Sequence, residues 1–258
     1  MTGPLARQLR QAGVRPGGRL LVHAGLSGTG LRAGELRDAL LEALGPGGTL
    51  LVPAFTPENS RTSSAHLARI RGMDAEQVRA YREAMPAFDP ARTASQGMGV
   101  LAETVRRSPG AARSAHPQSS FAALGRDAGR LCAGHALTCH LGEESPLGAL
   151  WREGPGMAQV LMINVGFPVC TAFHLAEYRI PGPPLRMYAC VVNLPGSGGD
   201  QWTEYEDVAL DDGDFDMIGK EFPESGVSRG WVGRARTTLF SLHDAVDHAL
   251  TWMTENRR

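Results

Sequence analysis

The chain has 258 residues, with 26 basic against 27 acidic side chains, a net charge of −1 and 42% hydrophobic residues. That length fits one large domain or two small ones, and the apolar fraction suits a packed core and excludes a disordered chain. Near-neutral charge lacks the electrostatic footprint of a nucleic-acid binder, and no run approaches the roughly 20 apolar residues of a membrane span.

The opening MTGPLARQLRQAG lacks the apolar core of a signal peptide, so a soluble cytoplasmic protein is expected. RLLVHA predicts a short buried strand, followed by the turn Gly25-Leu26-Ser27-Gly28-Thr29-Gly30. ELRDALLEAL places Leu36, Leu40 and Leu44 on one helical face, and Gly45-Pro46-Gly47-Gly48 ends that helix before a second apolar strand, TLLVPAF. Strand, helix and strand in succession make a βαβ unit, hence a parallel pair and an α/β protein.

Residues 56–93 are polar and rich in Pro, Ser and Arg, with a helix predicted over 75–84. Such a surface excursion often lids a site. GMGVLAETVRR reads as a helix, SFAALG as a short strand and AQVLMINVG as a strand buried on both faces. TAFHLAEYR is helical by pattern, RMYACVVNL is a strand, and residues 206–214 are acidic. The last helix, SLHDAVDHALTWM, turns Leu242, Val246, Ala249 and Leu250 inward. No Pro/Gly/Ser-rich linker divides the chain, so a single domain over 1–258 is expected.

Several chemistries start without support. There is no G-x-S-x-G elbow, since Glu143 and Leu147 stand where the two glycines around Ser145 belong. No P-loop is present, the turn at 25–30 has the wrong order for a dinucleotide fingerprint, and no HExxH-type zinc pattern occurs. Cys132, Cys139, Cys170 and Cys190 show no CxxC spacing and are expected to be free, mostly buried thiols.

The positive signal is His174 with Glu177, which share a face at i, i+3. A carboxylate on one ring nitrogen fixes the tautomer and leaves the other nitrogen to take a proton. The pair follows a strand, where functional groups converge in α/β sheets. A catalytic pair and a solvated helical ion pair both fit this spacing. His116, before a proline, is a loop histidine with a surface or structural role as the plain alternative to a functional one. His23 on the first strand reads as a satisfied core histidine. Cys170, one helical turn before His174, makes a Cys–His nucleophile conceivable. The turn at 25–30 is either an anion site built from backbone amides or simply a tight strand–helix turn. The run Glu206, Asp207, Asp211, Asp212, Asp214 suits a polycationic ligand, with a solvated loop as the favoured reading.

Taken together, the segments resemble the aminoglycoside 3-N-acetyltransferase family. LLVHAGLSGTG with LRDALLEALGPGGTLLVPAFT looks like its opening block; Phe88-Asp89-Pro90, GMGVLAETVRRSPGAARSAHPQSSFAALG, GEESPLGAL and CTAFHLAEYR follow in the family's order. The resemblance implies a three-layer α/β/α sandwich around a mixed sheet, and acyl transfer from acetyl-CoA to a small-molecule amine with no metal and no covalent enzyme intermediate. His174 matches the family's catalytic histidine, with Glu177 its partner. The CoA arm is expected along Gly25, Leu26, Ser27, Gly28 and Thr29 and near His116 and Ser119. Thr171 or backbone amides of that turn are candidates for the oxyanion donor. Glu143, Glu144, Asp207 and Asp212 are candidates for an acceptor's ammonium groups. Neither a nucleic-acid nor a membrane partner is implied, and a homodimer is compatible with the family.

The family's first turn usually reads Val-His-Ser-Ser-Leu-Ser, whereas here Ala24 and Gly25 replace the two serines. That departure bears on the substrate more than on the reaction; the resemblance implies an aminoglycoside or related amino compound as acceptor, with two alternatives. One is acylation of a non-aminoglycoside amine in natural-product biosynthesis; the other is a non-catalytic homologue that binds CoA or an amine. A Cys170-dependent amidase is a third rival.

Overall fold

The fold comes from a computed structural model that describes residues 3–193 and 199–257. In chain order the first half holds α1 (Pro4–Gln11), β1 (Arg19–Ala24), α2 (Ala33–Leu44), β2 (Thr49–Pro53), α3 (Ser64–Arg69), α4 (Ala75–Glu83), α5 (Gly99–Arg106), β3 (Ala112–Arg113) and β4 (Phe121–Gly125). The second half holds α6 (Ala128–Cys132), α7 (Pro146–Trp151), β5 (Ala158–Ile163), α8 (Phe173–Glu177), β6 (Leu185–Asn193), β7 (Asp200–Val208), α9 (Phe215–Lys220), β8 (Val227–Val232), β9 (Ala235–Ser241) and α10 (Leu242–Asn256).

Side chains alternate across a strand, and that alternation builds two cores here. Leu20 and Val22 of β1, Leu50 and Val52 of β2, and Leu161 and Ile163 of β5 meet α1, α2 and α5 on one face. Leu21, Leu51, Val160 and Met162 point the other way, to a core closed by α6 to α10. The seven-stranded sheet runs β3-β4-β2-β1-β5-β9-β8. β1 is parallel to β2 and β5, and the remaining neighbours are antiparallel. The α/β/α sandwich around a mixed sheet is as expected. Local signals hold the elements in place: the Ser145 hydroxyl accepts from Leu147 N–H to cap α7, Ser241 caps α10, and Gly45 stops α2 at a φ of 67°.

The opposite ends of the same strands carry a charge cluster. Arg19 at the start of β1 pairs with Asp127 (2.7 Å) and Glu153 (3.2 Å), and Arg130 reaches Glu153 at 2.6 Å.

Two expectations are corrected. Residues 56–93 do not lid the cavity described below; they pack on the separate β6–β7 hairpin, with Asn59 Nδ2 donating to Val191 O and Trp202 Nε1 donating to Arg82 O. The acidic stretch is not all solvated loop, because Glu206 and Asp207 belong to β7 and Asp207 is buried. Pairing of β7 with β6 turns Asp207 inward, where its Oδ2 accepts from His140 Nδ1 (2.6 Å), His140 N–H (2.7 Å) and Tyr178 OH (2.8 Å). A buried carboxylate with that many donors fastens the hairpin to the main body. Among the described residues no helix is long and apolar enough to cross a membrane.

Next to this carboxylate lie two further imidazoles, His116 and His135, at ring-centroid distances of 4.5 Å from His140 and 4.8 Å from each other respectively. Burial, joined by the neighbouring histidines, holds His116 well below the ordinary range, and burial lowers His135 to about 4. In the unfolded chain both take a proton near pH 6.5, so stability is full above that pH and is lost as pH falls toward 4. For His135 alone the loss at pH 5 is about 1–2 kcal/mol. Thermal unfolding followed by scanning fluorimetry should therefore show the midpoint dropping between pH 7 and 5, with a flatter slope in His135→Asn; an unchanged slope would place the acid sensitivity elsewhere.

Candidate active site

The carboxyl ends of β1, β2 and β5 point the same way, and a cavity of about 420 Å³ opens just beyond them. Open α/β sheets place ligands at this end because loops, not packed side chains, fill the space. The wall is mostly apolar, from Val22, Val52, Phe55, Leu101, Val165 and Phe215 among others. Its polar members are His23, Thr171, His174 and Asp212.

β5 ends abruptly at Ile163. Asn164 turns the chain with a φ of 53° and donates from Nδ2 to Gly25 O at 3.0 Å, tying the β5 turn to the β1 turn. The chain then enters α8, shorter than its pattern suggests. One turn suffices to put His174 over Glu177, with His174 Nδ1 donating to Glu177 Oε2 at 2.6 Å. Because an ionised carboxylate only accepts, this bond places the proton on Nδ1 and leaves Nε2 as the basic nitrogen. Phe215 packs on the imidazole at 4.7 Å between centroids.

Glu177 is 1% exposed. Its second oxygen accepts from Asp211 N–H (2.8 Å) and from Arg257 Nη1 (2.6 Å). Arg257 also pairs with Asp214 through Nε (2.7 Å) and Nη2 (2.6 Å). Burial opposes the charge on Arg257, but the bonds to Asp214 and Glu177 outweigh it and hold the guanidinium above its usual range. His23 sits in the cavity wall, lowered to about 3 by burial and by the nearby His174, so it is neutral. It is a core histidine, though not a satisfied one: its Nε2 is buried without a hydrogen-bond partner.

Of the residues singled out in the sequence, the structure brings His23, Gly25, Thr171, His174 and Asp212 to the cavity, with Glu177, Asp211 and Asp214 behind His174. The others lie elsewhere. Leu26 packs toward the α2 core, Ser27 and Gly28 are exposed, and Thr29 closes its own turn by donating to Leu26 O. His116 is fully buried, its Nδ1 accepting from the amides of Gln118 and Ser119, and Ser119 donates to His140 O. Glu143 pairs with Arg179 on the surface, Glu144 is exposed, and Asp207 fastens the hairpin. Residues missed in the sequence include Phe215, which packs on the His174 ring, and Arg257, which grips Glu177; Asp211, seen there only as part of an acidic run, donates its N–H to Glu177. Gly99, at the start of α5, has a φ of 79°, and a Cβ there would stand 3.1 Å from Ala24 O, so only glycine lets α5 begin against the β1 turn.

A family model described as aminoglycoside 3-N-acetyltransferase matches residues 21–254. The chain belongs to that family. It is 32% identical over 269 residues to aminoglycoside N(3)-acetyltransferase VII of Streptomyces paromomycinus, an alignment covering 97% of this chain and 90% of the relative. Two solved structures superpose closely. The YokD protein of Bacillus subtilis matches with a TM-score of 0.88 and 32% identity over 98% of each chain. AAC-IIIb in binary complex with CoASH matches with a TM-score of 0.82 and 30% identity, over 97% of this chain and 95% of that one.

Gly25, where the family usually carries a serine, is accounted for locally. A Cβ added there would meet Val165 Cγ1 at 3.0 Å and Asn164 O at 3.3 Å, so the close approach of the two turns has taken the space of a side chain.

Cys170 is fully buried, absent from the cavity wall, and burial pushes its thiol up to about 12. That is the opposite of an activated nucleophile. All four cysteines are free and buried. Iodoacetamide should leave them unmodified in the folded protein and alkylate all of them after denaturation; rapid modification of Cys170 in the native state would revive the thiol mechanism.

Proposed function

We propose that this chain transfers the acetyl group of acetyl-CoA to an amine of an aminoglycoside or related amino compound, by direct attack on the thioester. Family membership supports the reaction class, and the CoASH complex of AAC-IIIb supports the donor. The observation that carries the mechanism is the His174 Nδ1–Glu177 Oε2 bond at 2.6 Å on the edge of an apolar cavity.

The acceptor nitrogen attacks the carbonyl carbon while its surplus proton passes to His174 Nε2. The resulting imidazolium is stabilised through Nδ1–H by Glu177. The tetrahedral oxyanion takes a hydrogen bond from Thr171, the hydroxyl-bearing residue of the wall. Gly25 N–H is already donated to Ile163 O and Thr29 N–H to Leu26 O, which favours Thr171 over those two amides. Collapse breaks the C–S bond, and the imidazolium returns its proton to the departing sulfur. Asp212 is the one carboxylate lining the cavity among the described residues, and it faces a second ammonium of the acceptor. The largely apolar wall raises the worth of each of these charges by excluding water.

Thiol release from acetyl-CoA with a panel of aminoglycosides tests the reading. His174→Ala should lower kcat by about 10²–10⁴-fold. Thr171→Val should lower it by about 10²–10³-fold, with acetyl-CoA binding by calorimetry retained in both. Near-wild-type turnover by His174→Ala would remove this mechanism. Acetyl-CoA binding without turnover on any amine would leave a binding homologue.

A further inference from the structure

Glu177 is one of the most buried charged side chains in the molecule, yet it carries only one hydrogen bond from His174. The rest of its charge is met from a distant part of the sequence. Arg257 lies just after α10, at a chain separation of 80 residues, and its backbone N–H closes the helix on Met253 O at 2.9 Å. α10 itself packs on α8, so the helix delivers the guanidinium to the back of the dyad. The geometry uses the fork fully. Nη1 donates to Glu177 Oε1 (2.6 Å), Nε and Nη2 clasp the Asp214 carboxylate, and Nη2 also donates to Asp211 O (2.6 Å).

Three pieces of the site thus hang on one side chain. Glu177 orients the base. The 211–214 turn carries Asp212 into the cavity and leads into α9, whose Phe215 packs on the His174 ring. Asp211 N–H completes the link by donating to the same Glu177 oxygen that Arg257 holds. When His174 is protonated, the set His174, Glu177, Arg257 and Asp214 is charge-neutral. At rest it holds one net negative charge, which is the arrangement a base awaiting a proton needs.

We infer that Arg257 is a positioning residue for this reaction, acting through Glu177 on His174 and through the 211–214 turn on the acceptor side of the cavity. It lies beyond residues 21–254, the span that the family model covers. The inference rests on His174 serving as the base. A planar fork is required because two carboxylates and a carbonyl are met at once, and a lysine ammonium replaces the charge without the geometry.

The groups that face the dyad are His23 from β1, Tyr188 from β6, Asp212 and Asp214 from the 211–214 turn, and Arg257. Removing the Arg257 cation leaves the buried Glu177 with fewer donors for its charge, so the proton shared by the His174–Glu177 pair is redistributed.

The test compares Arg257→Met, Arg257→Lys and wild type, each checked for folding by circular dichroism. Arg257→Met should lower kcat by about 10–100-fold, leave the KM for acetyl-CoA within about twofold, and displace the acidic limb of the kcat/KM profile from its wild-type position. Arg257→Lys should keep the limb near its wild-type position and recover part of kcat. In a Glu177→Gln background Arg257→Met should add little. Titration of ¹⁵N-labelled His174 by NMR reads the same coupling without turnover. Unchanged kcat and unchanged His174 titration in folded Arg257→Met would overturn the inference, and so would a full extra loss in the Glu177→Gln background. Failure of the base mechanism shows separately, as a His174→Ala protein that turns over normally.

Discussion

A carboxylate that is almost wholly buried must be met by donors, or it takes up a proton and stops acting as an anion. Glu177 is met from three directions: the imidazole it orients, the Asp211 amide and the Arg257 guanidinium. Each donor comes from a different part of the chain, so the carboxylate draws α8, the 211–214 turn and the end of α10 to one point. The orientation of His174 is then set by an arrangement no single segment could form.

The sheet makes that arrangement reachable. Parallel pairing of β1 with both β2 and β5 brings three strand ends to one rim, and the turns that leave them carry Gly25, Asn164 and the approach to α8. A helix as short as α8 would be marginal alone in water. Here Phe173, Leu175 and Ala176 are buried against the same core as α10, and packing replaces intrinsic propensity. His174 therefore sits on a rigid support although its helix is barely more than one turn long.

How much of this was legible in the sequence follows the range of the interactions. The β1–α2–β2 unit was readable because its apolar spacing and terminating glycines are local. The His174–Glu177 pair was readable for the same reason, since i, i+3 spacing is enough to bring the two side chains together. β9 went unread because Arg236, Thr237 and Thr238 interrupt its apolar pattern, although Thr237 is buried beside Ile163. Asp207 read as one charge in an acidic run; its true setting depends on His140, 67 residues earlier. Arg257 gave no signal at all, because a basic residue after a final helix is ordinarily a solvated one. His116 and Ser119 stood in a recognisable block, yet their hydrogen bonds are spent inside the protein.

The cluster of Arg19, Asp127, Arg130 and Glu153 sits at the far end of the strands that carry the cavity. A six-residue strand such as β1 spans about 20 Å, and none of the four residues lines the cavity. In many enzymes robustness and catalytic rate compete for the same residues. This architecture sets them at opposite poles of the sheet, so evolution or an engineer can harden one pole against heat while the other keeps its freedom to adapt to new acceptors.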